Sequence, residues 1–203
     1  MPVETGTIDV RGKPCPQPVV MVKRVLENEG NIEGLEILTD NSTANENLQK
    51  FLAGYGYIVS IIKEGSDYRL GVSRDYSKQE QPVGKPKDSG KQKTTVLITS
   101  DDFGRGSKEL GAILMKMFIY TLQEAQTKPE RIILLNGGVK LAGREADAAD
   151  DLCRFAAAGG ELLICGTCLD YYGMQDKIVC GDVSNMYDIW ERMTASEKVI
   201  TIT

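Results

Sequence analysis

The stretch DVRGKPCPQPVVMVKRVLE, residues 9–27, places one cysteine between prolines directly ahead of an apolar pattern with helical spacing. A residue that precedes proline is pushed out of the α conformation, which suits a helix cap, and a proline is well tolerated in the first helical turn. The sequence therefore predicts that Cys15 caps a helix over about 16–29, with Pro16 at its first position and Pro18 at its third.

Two interpretations of Cys15 follow from these residues. In the first, its sulfur lies at the positive end of the helix dipole, and Arg11 and Lys13 add positive potential. Such surroundings favour the thiolate, which is the nucleophilic form of cysteine. In the second, the prolines form a rigid turn from strand to helix and hold a passive cysteine, since most cysteines are small buried hydrophobes. The residues alone leave both open.

Composition excludes several classes of function. The 203 residues carry a net charge of -5, whereas a general nucleic-acid binder needs a basic surface. The N-terminal residues show neither the basic nor the apolar region of an export signal, and no apolar run is long enough to span a membrane. We therefore expect a cytoplasmic protein that binds neither membrane nor nucleic acid. The chain has no histidine, which removes His-dependent nucleophiles and His-ligated catalytic zinc.

Periodicity divides the chain in two. Residues 75–94, DYSKQEQPVGKPKDSGKQKT, are polar and rich in lysine, so they are typical of a flexible linker. We predict a first domain over 1–75, a linker over 76–93 and a second domain over 94–203. The first domain is predicted to be an α+β two-layer sandwich of order βαβαββ, with strands near 6–11, 34–40, 57–64 and 67–74 and helices near 16–29 and 43–53. Thr43 and Glu46 fit a capping box for its second helix.

The second domain is predicted to be an α/β domain. Its strands are continuous apolar runs, as in a buried parallel sheet, and helical patterns separate them. The expected strands are 94–100, 131–137, 161–166, 176–181 and 198–203, and the expected helices are 107–125, 144–159 and 185–196. Ser107 or Asp102 is expected to cap the helix that opens at 107. Ser100 and Asp101, at the end of the first of these strands, are candidates to face a ligand in the crevice beyond the sheet.

A second thiol site follows the strand 161–166, where Cys165 and Cys168 form a C-x-x-C motif. The motif is compatible with a dithiol redox pair, with a sulfur-relay thiol beside a resolving neighbour, or with a metal site completed by Cys153 and Cys180. Since the five cysteines are odd in number and no secretion signal precedes them, we expect all five to be reduced.

The motif around Cys15 resembles the CPxP signature of the TusA/SirA-like sulfur carriers, and the predicted βαβαββ order is similar to theirs. This resemblance implies that Cys15 carries a persulfide sulfur received from a cysteine desulfurase, with Pro16 and Pro18 as the fixed prolines of the motif. No bound cofactor or metal is implied, because the adduct is a transient covalent intermediate.

The second half resembles DsrE-like domains through ITSDDFGRGSKELGAILMKMFIYTL, IILLNGGVKLA, ICGTCLDYYG and VSNMYDI. A TusA-like domain followed by a DsrE-like one is the architecture of the YedF-type selenium metabolism and sulfurtransferase family. The resemblance implies that Cys165, or else Cys168, accepts the chalcogen, and that the chain forms a homo-oligomer.

The sequence thus predicts a chalcogen carrier that is loaded at Cys15 and passes sulfur or selenium to Cys165, to Cys168 or to an acceptor protein. The alternatives are a non-catalytic adaptor with incidental thiols and a C-x-x-C thiol-disulfide oxidoreductase.

Overall fold

The structure, a computed structural model, describes residues 6–29, 34–74 and 93–203. The chain divides into two compact units near residue 88. The predicted linker lies, except for Lys93, outside the described residues, so its boundaries stay a prediction.

The first unit is a four-stranded mixed sheet with two helices. Its elements are β1 (Thr7–Asp9), α1 (Gln17–Glu29), β2 (Leu35–Thr39), α2 (Ser42–Gly54), β3 (Tyr57–Glu64) and β4 (Asp67–Arg74). The strands lie in the order β1-β2-β4-β3, with β1 and β2 parallel and the other pairs antiparallel. The predicted βαβαββ order is therefore confirmed.

The core of this unit forms where alternate strand residues meet the apolar faces of the two helices. Along β2 every second side chain, from Leu35 through Ile37 to Thr39, is buried. Apolar residues from both helices and from β4 complete the cluster, namely Val22, Leu26, Leu48, Leu52, Leu70 and Val72. The period of two in the strand and of three to four in the helices is the pattern that predicted these elements.

The predicted capping box of α2 is wrong. The cap is Asn41, whose extended backbone lets its side-chain oxygen accept a 2.7 Å hydrogen bond from the amide of Ala44. The helix therefore begins at Ser42, and Thr43 lies inside its first turn. Asparagine is as good a cap as serine or threonine, so a suitable cap was present two residues earlier than predicted.

The second unit is a five-stranded, wholly parallel sheet of order β8-β7-β6-β5-β9. Its elements are β5 (Thr94–Ile98), α3 (Lys108–Glu124), β6 (Arg131–Leu134), a 3-10 helix (Asn136–Ala142), α4 (Ala149–Ala157), β7 (Glu161–Cys165), α5 (Gly166–Tyr172), β8 (Asp182–Ser184), α6 (Met186–Thr194) and β9 (Lys198–Ile202). The predicted parallel α/β architecture is confirmed, and Ser107 caps α3 through its hydroxyl as expected.

The predicted strand 176–181 is wrong, because that segment pairs with a loop and β8 begins only at Asp182. The amide of Val179 donates to the carbonyl of Ala142, and the amide of Arg144 donates to that of Lys177. Beyond them Gly181 has a φ of +93°, and a side chain there would collide with Leu162 of β7. The chain thus passes close over the sheet before it joins the edge.

The chain from β6 to α4 also differs from the prediction. The predicted strand 131–137 ends at Leu134, and the predicted helix 144–159 is shorter, over Ala149–Ala157. The residues between them form the 3-10 helix, which begins at Asn136 with a left-handed φ of +46°. Asparagine followed by two glycines is a turn signal, and it ends the strand here.

Candidate functional site

The Cys15 thiol lies on a loop that several contacts hold to the ends of the strands. The amide of Val10 donates to the carbonyl of Leu38, and the amide of Gly12 donates to Oδ2 of Asp40 at 2.7 Å. The guanidinium of Arg11 also contacts Asp67 at the start of β4. Cys15 itself is exposed, with a free thiol. The loop therefore presents an accessible sulfur from a fixed base.

The start of α1 is shifted by one residue from the prediction. The carbonyl of Pro16 accepts the first helical hydrogen bond, from the amide of Val20 at 3.2 Å, so Pro16 rather than Cys15 occupies the cap. The amide of Gln17 donates to the carbonyl of Pro14 and closes the preceding turn. Cys15 thus stands one residue outside the helix, and Pro18 is buried in its first turn.

Of the two predicted cationic neighbours, Arg11 is engaged by carboxylates. Its guanidinium binds Asp9 at 2.6 Å and Asp67 at 3.2 Å. The hydrogen bond from Arg11 lowers the pKa of Asp9 from 3.8 to about 2. Two carboxylates compensate the positive charge, so the clearest role of Arg11 is to anchor the loop. Lys13 is exposed, and its amide donates to the carbonyl of Val10.

The second thiol pair lies at the carboxyl edge of the parallel sheet. Cys165 is the last residue of β7 and the N-cap of α5, and Cys168 is the third residue of that helix. Cys165 is buried, with 2% of its surface exposed, whereas Cys168 is half-buried. Crevices beyond the carboxyl ends of strands are the usual ligand sites of α/β sheets.

Cys168 is held by the left-handed residue that follows β6. The amide of Asn136 donates a hydrogen bond to Sγ of Cys168 at 3.2 Å. The side-chain oxygen of Asn136 in turn accepts from the hydroxyl of Tyr172 at 2.9 Å. A left-handed conformation in a non-glycine residue costs on the order of 1 kcal/mol, and here it aims the amide at the sulfur.

A lysine and an aspartate extend this network. Nζ of Lys140 lies 4.9 Å from the centre of the Tyr172 ring and 3.2 Å from Oδ2 of Asp101. Asp101 follows β5, so residues after β5, β6 and β7 meet at one edge. Sequence reasoning singled out Asp101 but missed Asn136, Lys140 and Tyr172. The turn signal at Asn136 could have identified the first of them.

Burial and the neighbouring thiol shape the reactivity of Cys168. Burial raises the pKa of the Cys168 thiol, interaction with Cys165 raises it further, and the amide of Asn136 acts in the opposite direction. Burial and Cys165 together therefore favour the protonated thiol over the thiolate at Cys168.

The other two cysteines form a disulfide, Cys153–Cys180, between α4 and the loop before β8. The expectation that all five cysteines are reduced is wrong for this pair, because the loop contacts of residues 177–179 bring Cys180 against α4. With two of the four thiols joined, the metal interpretation fails. Within the described ranges, no group of three or more His, Cys, Asp or Glu is placed to hold a metal ion.

Among residues 6–29, 34–74 and 93–203, none of the helices has the length and apolar character of a bilayer span.

The first unit is an α+β domain that presents an exposed, free thiol just ahead of its first helix. Residues 6–74 match the family model described as sulfurtransferase TusA. The chain is 36% identical over 75 residues to a candidate sulfur carrier protein of Methanocaldococcus jannaschii, covering 36% of this chain and 100% of that protein. It is 38% identical over 60 residues to another, from Thermotoga maritima, covering 30% of this chain and 76% of that protein.

Through its first unit the chain belongs to the TusA/SirA-like family of sulfur carriers and sulfurtransferases. Among solved structures it is similar to a SirA-like protein of Desulfitobacterium hafniense, with 32% identity, a TM-score of 0.31 and coverage of 34% of this chain and 97% of that one. It is also similar to the YchN protein of E. coli, with 18% identity, a TM-score of 0.42 and coverage of 54% of this chain and 98% of that one.

Proposed function

We propose that this protein is a cytoplasmic carrier of sulfur or selenium that is loaded at Cys15. Its exposed thiol, in the motif of a sulfur-carrier family, is the observation that carries the proposal. The Cys15 thiolate attacks the outer sulfur of a persulfide on a cysteine desulfurase. A new S–S bond forms on Cys15, the donor's S–S bond breaks, and the donor cysteine leaves as a thiolate. This exchange needs neither metal nor histidine.

The second unit, in this proposal, is a DsrE-like domain that receives the carried atom. Of its two free thiols, Cys168 is the better receiver, because it is partly exposed and the amide of Asn136 contacts its sulfur. Cys165, the first choice from sequence, is buried. Direct exchange requires the receiving sulfur to reach the carried atom, which favours the more accessible thiol, Cys168. Other acceptor proteins compete for the same adduct on Cys15.

Peptide-resolved mass spectrometry tests this function. The full chain is incubated with a cysteine desulfurase and cysteine, and in parallel with a selenium donor, and the peptides that contain Cys15 and Cys168 are compared over time. We expect a gain of one sulfur or selenium on Cys15 first and on Cys168 later. Cys15→Ser should abolish both adducts, whereas Cys168→Ser should abolish only the second. Equal loading of the Cys15→Ser variant and the parent would contradict the proposal.

One rival function has a specific observation in its favour. Cys165 and Cys168 are both free thiols three residues apart at the start of one helix, which is the arrangement of a C-x-x-C oxidoreductase. That function predicts reversible Cys165–Cys168 disulfide formation with a thiol substrate and no chalcogen on Cys15. A non-catalytic adaptor predicts that neither adduct nor disulfide forms. Self-association stays a prediction, which light scattering of the purified chain measures.

A further inference from the structure

We propose that Cys165 and Cys168 form a discharge pair that releases the carried atom as hydrosulfide, or as hydroselenide. Cys168 holds the atom, and Cys165 attacks Sγ of Cys168 and displaces it. This inference rests on the proposed function, because Cys168 must first be loaded. It adds an activity, since a carrier that only relays passes its atom to another thiol and releases nothing.

The geometry of α5 supports the pairing. Cys165 is the N-cap of the helix and Cys168 is its third residue. The two free thiols are thus three residues apart at the start of one helix, and a C-x-x-C motif at a helix start is the arrangement of dithiols that form disulfides.

Burial assigns the two thiols different roles. Cys165 is 2% exposed and belongs to the core of its unit, so a persulfide on another protein cannot reach it. Cys168 packs against the same core but is partly exposed. An adduct can therefore come within reach of Cys165 when it is carried on Cys168. A thiol so placed resolves an adduct on its neighbour rather than accepting one from outside.

Asn136 positions the sulfur that is attacked. Its amide donates to Sγ of Cys168, and the Tyr172 hydroxyl holds its side chain. A fixed Sγ keeps the attacking and leaving sulfur atoms in the orientation that thiol exchange requires. Asn136 acts through Cys168, so it is a positioning residue.

The step balances without a further reactant. The Cys165 thiol loses its proton and its sulfur forms a bond to Sγ of Cys168. The bond between Sγ and the terminal sulfur of the ionised persulfide breaks, and the terminal sulfur leaves with the electron pair and takes up the proton as HS⁻. The two cysteine sulfurs are oxidised to a disulfide, and the carried sulfur is reduced to sulfide. A cellular dithiol reductant then restores the pair for the next turnover.

Single-turnover loading tests the discharge. In a Cys15→Ser background the full chain is treated with inorganic polysulfide, freed of excess reagent, and assayed for sulfide and for peptide masses. We expect close to one sulfide per chain, together with a Cys165–Cys168 peptide that has lost two hydrogens. Adding Cys165→Ala should leave the extra sulfur on Cys168 and lower sulfide release at least tenfold. Cys168→Ser should release none, and thermal melts verify that each variant is folded.

The outcomes separate this inference from the proposed function. An adduct that persists on Cys168 while Cys165 is intact, with neither sulfide nor disulfide, overturns the discharge and leaves the carrier function standing. Sulfide release that is unchanged in Cys165→Ala also overturns it. Discharge from polysulfide, with no transfer from a desulfurase-loaded Cys15 in the parent chain, supports the discharge and overturns the internal relay. Asn136→Gly keeps the backbone amide and loses the link to Tyr172, so slower release with unchanged stability supports the positioning role.

Discussion

At the scale of single residues, the loop that carries Cys15 depends on ion pairs rather than on a free cation. Arg11 reaches back to Asp9 and across to Asp67, so one side chain connects the end of β1 with the start of β4. Hydrogen bonding to Arg11 is the largest cause of the low pKa of Asp9. The positive charge of Arg11 therefore mainly holds the loop in place.

Removing Arg11 should raise the pKa of Asp9. We expect Arg11→Ala to move it from about 2 toward the ordinary 3.8, as measured by carboxyl-carbon NMR titration. Since the pKa of Asp9 is lower in the folded than in the unfolded chain, the ion pair stabilises the fold above about pH 4 and this contribution is lost as the pH falls toward 2. The stability difference between variant and parent should therefore shrink over that range.

Lys13→Ala is the control for this titration, because the charge of Lys13 is the smallest of the causes that act on the pKa of Asp9. An Asp9 pKa that stays near 2 in Arg11→Ala would contradict the role given to the guanidinium.

At the scale of elements, the second site depends on how closely the 3-10 helix approaches β5. A Cβ on Gly138 would lie 2.3 Å from the carbonyl oxygen of Ile98, whereas a Cβ on Gly137 would lie no nearer than 3.5 Å to any neighbour. The same carbonyl accepts the amide of Leu135. Only glycine at 138 lets the segment that contains Asn136 pack there.

Gly138→Ala should destabilise the protein, while Gly137→Ala serves as its matched control. Forcing a methyl group against a backbone carbonyl typically costs 1–3 kcal/mol, so we expect a loss of roughly 2 kcal/mol in denaturant unfolding for Gly138→Ala. Gly137→Ala should change the free energy of unfolding by less than about 1 kcal/mol. Because Asn136 moves with this segment, Gly138→Ala should also speed alkylation of Cys168. Equal unfolding free energies for the two variants would refute this packing argument.

At the scale of the whole second unit, the buried side chain of Arg131 links several elements at the edge of the sheet where the strands begin. Arg131 bonds Glu161 at 2.5 Å, Oγ1 of Thr95 at 3.2 Å and the carbonyl of Arg192 at 3.2 Å. These partners belong to β7, β5 and α6, so one guanidinium on β6 links three further elements. Arg131 begins β6 and Cys165 ends the adjacent β7, so the network lies at the opposite edge from the thiols.

Arg131→Ala should therefore lower the stability of the protein without changing the reactivity of Cys168. The variant loses the hydrogen bonds of the guanidinium, but Glu161 is partly exposed and keeps its ion pair with Arg192, so we expect a loss of about 1.5–3 kcal/mol. Lys116→Ala, which removes an exposed pair with Asp147, should cost at most about 1 kcal/mol. Denaturant melts measure both, and Cys168 alkylation below the transition should be unchanged. A large effect of Arg131→Ala on Cys168 in the folded protein would contradict the separation of the two edges.

The Cys153–Cys180 disulfide also acts on the unit as a whole. It closes a loop with a sequence separation of 27 residues, for which chain entropy gives about 3–4 kcal/mol of stabilisation. Unreduced denatured protein should show three free thiols and reduced protein five. Reduction should lower the unfolding midpoint of the parent but not of the Cys153→Ala, Cys180→Ala double variant. Five free thiols before reduction would contradict the disulfide.

The sequence by itself determined the order and class of most elements. The apolar periodicity of strands and helices is a local property, so the βαβαββ order, the parallel second sheet and the helices α3, α4 and α6 could be predicted. The 3-10 helix and α5, which carries Cys168, were not predicted. The hairpin of the first unit is the clearest case, because the predicted strands have the observed bounds, Tyr57–Glu64 and Asp67–Arg74. The CPxP motif around Cys15 likewise identified the carrier family.

Only the tertiary structure decided which side chains meet. The cap of α2 is Asn41 rather than the predicted Thr43. Cys180 lies in a loop rather than in a strand and forms a disulfide with Cys153. Asn136 has a left-handed backbone, and its amide contacts Cys168. Each of these depends on residues that are distant in sequence or on a choice between equally good local partners. Periodicity reports which face of an element is buried, but long-range contacts fix which sulfur is buried, which is exposed and which amide points at it.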